Sequence, residues 1–243
     1  MNVLTIGNSF SQDATRYLSQ VAKAQGVHLD VVDLCIGGCS LERHYRNMLG
    51  GMKDYMLEFN GRFTGFYVTL EEALLSREWD VITIQQVSHL SFNKETYYPY
   101  LTELVDYIRT YQPKAKLLLQ ETWAYEEGSD RLTKMAGYET HKAMLADIQK
   151  AYAFAAEAEQ LDGIIPSGTL FGKMLDQGIE KVHRDTFHAT AGLGRYALGL
   201  LWFRMLTGRS VAENSFRDLD VPASEEEIAI VKACVDSFAP IAL

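Results

Sequence analysis

Cysteine is scarce: Cys35, Cys39 and Cys234 are the only three in 243 residues. That excludes a disulfide framework. Cys35 and Cys39 have three residues between them and no second Cys or His pair nearby, which argues against a zinc site. A reducing, cytoplasmic compartment is the expectation. Basic charge is also in short supply, 23 Lys+Arg against 32 Asp+Glu for a net charge of -9. Neither nucleic acid, which needs a basic face, nor an anionic membrane surface suits such a chain. No apolar run approaches the ~20 residues of a membrane helix. The N-terminus has no basic flank of a signal peptide, and Val3 to Ile6 already reads as a strand; a leader removed upstream stays open. The phosphate loop, the dinucleotide fingerprint G-x-G-x-x-G and the nucleophile elbow G-x-S-x-G are all missing. No metal or organic cofactor is expected.

What is present is apolar material, 47% of the residues, enough for the core of one α/β domain over 1–243. Short Val-, Ile- and Leu-rich runs over 2–6, 29–35, 80–84, 114–120 and 163–165 read as strands buried on both faces. Longer amphipathic stretches over 12–25, 41–48, 70–77, 96–110, 138–160, 191–206 and 225–238 read as helices between them. This alternation is that of a parallel sheet with covering helices. Asn60-Gly61 predicts a β-hairpin inserted at about 55–69. Ser224 ahead of three glutamates opens a helix by a capping box, and Gly208 stops one. The polar stretch 123–137 reads as a long loop at a strand end, where binding-site walls form.

In open parallel sheets ligands bind beyond the carboxyl ends of the strands. Ser9 follows the first strand, Gly37-Gly38 the second, Gln85-Gln86 the third and Glu121-Thr122-Trp123 the fourth. Ser9 needs a base to become nucleophilic; Ser9 or Ser11 would also serve as an ordinary helix cap. His188 is the candidate base, with Asp185 one turn earlier to orient it. His183, between Lys181 and Arg184, reads as part of a solvated loop. Gly38 could present its N–H to a ligand, and Gln85 or Gln86 could donate a side-chain amide to an oxyanion. Trp123 and Tyr125 could stack on a sugar or acyl group.

These pieces resemble the SGNH (GDSL-like) hydrolase superfamily, and specifically a bacterial branch with a G-N-S-F-S start. Ser9 in Gly7-Asn8-Ser9-Phe10-Ser11 is similar to the nucleophile block, Gly38 to the second-block glycine, and Asp185 with His188 to the closing D-x-x-H block. The third block departs: Ile84-Gln85-Gln86-Val87-Ser88 has no asparagine, so Gln85, with Gln86 second, is the replacement. The resemblance implies a three-layer α/β/α sandwich with a five-stranded parallel sheet in the flavodoxin-like order 2-1-3-4-5. It implies a serine esterase with the triad Ser9, Asp185 and His188, and an oxyanion hole of Ser9 N–H, Gly38 N–H and a glutamine amide. The substrate class it suggests is a small acyl ester, acetyl above all, on a small molecule or glycan. The competing expectation is a non-catalytic ligand-binding module on the same fold.

Overall fold

The computed structural model describes residues 1–242. Its sheet grows from the short apolar runs: β1 (Asn2–Gly7), β2 (Asp30–Cys35), β5 (Val81–Ile84), β6 (Lys116–Gln120) and β7 (Gly163–Ile165). These five pair in parallel in the order β2-β1-β5-β6-β7. The sheet itself is larger and mixed. The hairpin strands β3 (Tyr55–Phe59) and β4 (Arg62–Val68) extend it antiparallel along β2, so seven strands run β4-β3-β2-β1-β5-β6-β7. The expected five-stranded parallel sheet is corrected accordingly. A strand edge on β2 with unpaired N–H and C=O groups is a template for further pairing, and the hairpin occupies it.

Alternation along the strands separates two cores. Val3, Val31, Val81 and Leu118 face one layer, formed with α1 (Ser9–Thr15), α2 (Leu18–Ala24), α7 (Ser167–Asp176), α8 (Leu193–Thr207) and α9 (Glu225–Asp236). Leu4, Ile6, Val32, Ile82 and Leu119 face the other, formed with α3 (Leu41–Gly50), α4 (Leu70–Leu75), α5 (Tyr100–Tyr111) and α6 (His141–Ala158). No helix among the described residues is long and apolar enough to cross a membrane.

Three helices differ from the pattern reading. The stretch 12–25 is broken into α1 and α2, because Arg16 and Tyr17 find partners outside the helix. The Arg16 guanidinium pairs with Asp220 at 2.6 Å, and the Tyr17 hydroxyl donates to Ala191 O while accepting from Asp220 N. The hairpin turn packs onto this break: a Cβ on Gly61 would overlap Arg16 O, and Gly61 has φ +77°. The stretch 96–110 is interrupted at Pro99, whose ring disfavours helix in the residue before it; a short 3-10 turn, Lys94–Tyr97, precedes α5. Helix α7 was not legible because Gly168 and Gly172 lower its helix propensity. Gly168 is needed there, since a Cβ would overlap Thr122 O.

Two buried carboxyls lie in the layers beneath the strand ends. Asp33 on β2 accepts from the hydroxyls of Thr5 and Ser11. Burial outweighs those bonds and pushes it up to about 7. Burial likewise pushes Glu121 up to about 7, against hydrogen bonds from Thr169 and the Gly168 backbone. Both groups hold protons in the folded chain that the unfolded chain releases at roughly pH 4. The folded state therefore binds more protons between the two values, and this part of its stability is lost as pH rises through that window. Asp33→Asn should flatten the dependence: the urea midpoint should differ less between about pH 5 and about pH 7 than in the parent protein. An undiminished pH slope in the variant would remove Asp33 as its source.

Candidate active site

Ser9 is the first residue of α1, at the end of β1. The turn is built by its neighbours. Gly7 cannot carry a Cβ, which would stand 2.5 Å from Ser11 Oγ. Asn8 is extended (φ -143°, ψ -159°) and caps the helix by accepting from Phe10 N at 3.0 Å. Ser11 Oγ lies 2.8 Å from Asn8 O and 2.7 Å from Asp33 Oδ1, and its one proton is shared between them. The cap is thus Asn8, and the Ser9 hydroxyl is left for another partner.

That partner is His188, 179 residues later, with Nε2 2.9 Å from Ser9 Oγ. The other ring nitrogen, Nδ1, stands 2.7 Å from Asp185 Oδ2, and His188 N donates to Asp185 Oδ1 at 2.9 Å. A carboxylate at Nδ1 favours the tautomer protonated there and leaves Nε2 to accept from a hydroxyl. Burial alone would push the Asp185 carboxyl up, but the hydrogen bonds from the His188 ring and backbone hold it below its ordinary value. Between the two residues Thr186 has φ +75°. A β-branched residue in that region is strained by about 1–3 kcal/mol and persists only where its surroundings dictate it.

Those surroundings are explicit. Asp13 lies one turn beyond Ser9 on α1 and is fully buried. Its carboxylate accepts from Arg184 Nη1 at 2.9 Å, Arg195 Nε at 2.8 Å and Ala189 N at 3.0 Å. The segment carrying Asp185 and His188 is therefore tied to the helix carrying Ser9. From the other side Trp123 Nε1 donates to Phe187 O at 2.6 Å, and Glu126 N to Thr186 O at 2.8 Å. The Phe187 ring lies 3.8 Å from the His188 ring, centre to centre.

The rim residues divide. Gly38 has φ +62° and is exposed, next to Cys39, whose carbonyl accepts from Asn8 Nδ2 at 3.0 Å. The two turns after β1 and β2 are joined by that bond. The glutamines do not behave as expected. Gln85 is buried, and its amide nitrogen donates to Asn8 Oδ1 at 2.7 Å. Gln86 accepts from Leu41 N and Val87 N and donates to Thr96. Both amide nitrogens are engaged by the protein. Trp123 and Tyr125, expected as a stacking platform, are each 1% exposed. Trp123 stacks on Phe10 at 4.0 Å, and the Tyr125 hydroxyl meets Ser88 Oγ at 3.0 Å, so neither offers a free face. His183 is buried as well, with Nε2 3.0 Å from Ala124 O, and burial lowers it to about 4. Cys39 is buried and its thiol pushed up to about 12, away from nucleophilic character.

Pattern reading passed over Asp13, Arg184 and Arg195. The available signal was an acid one turn after Ser9 with two arginines flanking the His188 segment. Asp13→Ala leaves both guanidiniums without their buried anion; it should destabilise the protein by about 3 kcal/mol in urea unfolding and speed hydrogen exchange at the Ala189 amide. Parent-like stability and exchange would show that the network does not hold the segment.

Comparison with known proteins sets this geometry in a family. Residues 2–236 match the family described as a domain of unknown function, DUF4886. A DUF4886 family protein from Bacteroides uniformis is 32% identical and superposes with a TM-score of 0.86, covering 97% of this chain and 93% of that one. A protein from Slackia heliotrinireducens, described as a candidate SGNH hydrolase, is 21% identical with a TM-score of 0.62 over 85% of this chain and 98% of its own. A lipase/acylhydrolase from Enterococcus faecalis is 14% identical with a TM-score of 0.55 over 92% and 100%. The last two share the fold. No curated protein matches the sequence. Matched over nearly its whole length, the chain belongs to the DUF4886 family.

Proposed function

We propose that this protein is a serine hydrolase of the SGNH type that cleaves small acyl esters, acetyl esters above all. The observation that carries the reading is the continuous hydrogen-bonded chain Ser9 Oγ to His188 Nε2, and His188 Nδ1 to Asp185. His188 takes the Ser9 proton as the oxygen attacks the acyl carbonyl. Asp185 keeps the ring oriented and stabilises the imidazolium. His188 then gives the proton to the departing alcohol, and an acyl-serine remains. Water, deprotonated by His188, releases the acid and restores the serine.

Two backbone donors serve the oxyanion in this proposal, the N–H of Ser9 at the start of α1 and the N–H of Gly38. Gln86 supplies no third, because both its amide protons go to Thr96, and Gln85 has one of its two committed to Asn8. A missing donor typically costs about 10²–10³ in turnover, so slow hydrolysis is in keeping with this site. The same observation favours the second reading, a ligand-binding module that kept the fold without the activity. A glycan substrate loses its two aromatic candidates, since Trp123 and Tyr125 are buried.

An activity-based fluorophosphonate separates the readings, since it reacts with an activated serine and spares one that only packs. The intact protein should be labelled and should hydrolyse p-nitrophenyl acetate. Ser9→Ala should abolish both with an unchanged circular dichroism spectrum, and His188→Ala should lower hydrolysis by about 10³-fold or more. An unlabelled parent protein, or a Ser9→Ala variant that keeps the rate, would overturn the hydrolase reading.

A further inference from the structure

Arg131 stands beside the triad with no acid to neutralise it. It opens a π-helical turn, Arg131–Met135, in the loop after β6. Its guanidinium carbon lies 3.8 Å from the centre of the Phe187 ring and 5.5 Å from that of Tyr125. Phe187 in turn lies 3.8 Å from the His188 ring. Two short steps therefore lead from the cation to the imidazole. The loop carrying Arg131 is docked on the triad segment by the bonds from Trp123 Nε1 to Phe187 O and from Glu126 N to Thr186 O.

Elsewhere Arg16 is matched with Asp220 and Arg184 and Arg195 with Asp13, while half-buried Arg204 donates to the carbonyls of Phe238 and Gly208. Half-buried Arg131 has no carboxylate within salt-bridge distance among the described residues, and its neighbour Asp130 pairs with Lys134 instead. In a chain of net charge -9, acids to pair with are plentiful. Across from it lies His89, in the loop after β5. Burial first, and then the Arg131 charge, holds the His89 imidazole below its ordinary value. The acids of the same loop, Glu126, Glu127 and Asp130, are taken by Lys181, His141 and Lys134, and Arg131 is left without one.

A guanidinium lying over aromatic rings keeps its N–H edge for a ligand, and that edge fits a carboxylate through paired hydrogen bonds. We infer that Arg131 is a specificity residue that receives a carboxylate borne by the substrate a few bonds from the scissile ester. The preferred substrates are then half-esters of dicarboxylic acids or acylated hydroxy acids rather than neutral esters. This rests on the esterase reading for the reaction, though not for the binding.

Calorimetric binding to Ser9→Ala, which cannot turn over, tests the two separately. The probes are monomethyl succinate and O-acetyl-lactate, which place the carboxylate on the acyl or the alcohol side, each against its fully methylated neutral counterpart. At least one acid should bind tenfold or more tighter than its neutral partner. Adding Arg131→Gln should erase that difference, and Arg131→Lys should retain part of it. In the parent enzyme the same change should raise KM for the acidic ester more than it lowers kcat. The inference is overturned if neither acid is preferred by Ser9→Ala itself, a comparison that needs no folded Arg131 variant, or if the preference survives Arg131→Gln. Absent hydrolysis with a preserved Arg131-dependent preference would sink the esterase reading alone.

Discussion

One buried carboxylate holds the two halves of the site together. Asp13 shares α1 with Ser9 and takes hydrogen bonds from Arg184, Arg195 and Ala189 N. The Asp13 carboxylate is fully buried and has no water to exchange these bonds for, whereas both arginines keep part of their surface exposed. Ser9 and His188 are far apart in the chain, and these bonds add to the packing of α8 on α1 in holding the 184–189 segment there. Arg195 extends the network to Asp220 at 3.0 Å, and Asp220 also pairs with Arg16. The break between α1 and α2 and the strained backbone at Thr186 are both parts of the same arrangement.

A second network holds the strand ends. Gln85 donates to Asn8, Asn8 donates to Cys39 O, and Asn8 also caps α1. Three turns, after β1, β2 and β5, are joined through one asparagine. This fixes the backbone at Ser9 and Gly38, the two N–H groups proposed to meet the oxyanion. The Gln85 side chain, expected at an oxyanion, instead donates to Asn8.

Aromatic packing forms the remaining wall. Phe10, from the nucleophile helix, stacks on Trp123, and Phe187 packs between the His188 ring and the Arg131 guanidinium. Trp123 is buried because its indole N–H supports the Phe187 carbonyl and its ring supports Phe10. It supports the segment that carries Asp185 and His188, and the Arg131 guanidinium lies against the Phe187 ring of the same wall.

Much of the frame could be read from residue order. The short apolar runs such as Val3-Leu4-Thr5-Ile6 and the Asn60-Gly61 turn express local preferences, and these determined the strands and the hairpin. That Ser9, Asp185 and His188 would meet was legible from their order along the chain and the short Asp-to-His spacing. What only the tertiary structure decided were choices of partner: the hairpin docking on the β2 edge, the break at Arg16 and Tyr17, the commitment of Gln85 and Gln86 to protein atoms, the burial of Trp123 and Tyr125, and the isolation of Arg131 from acids. Backbone preference acts over a few residues and is written locally. A hydrogen bond or ion pair between distant residues depends on which surfaces meet, and that is settled when the layers pack.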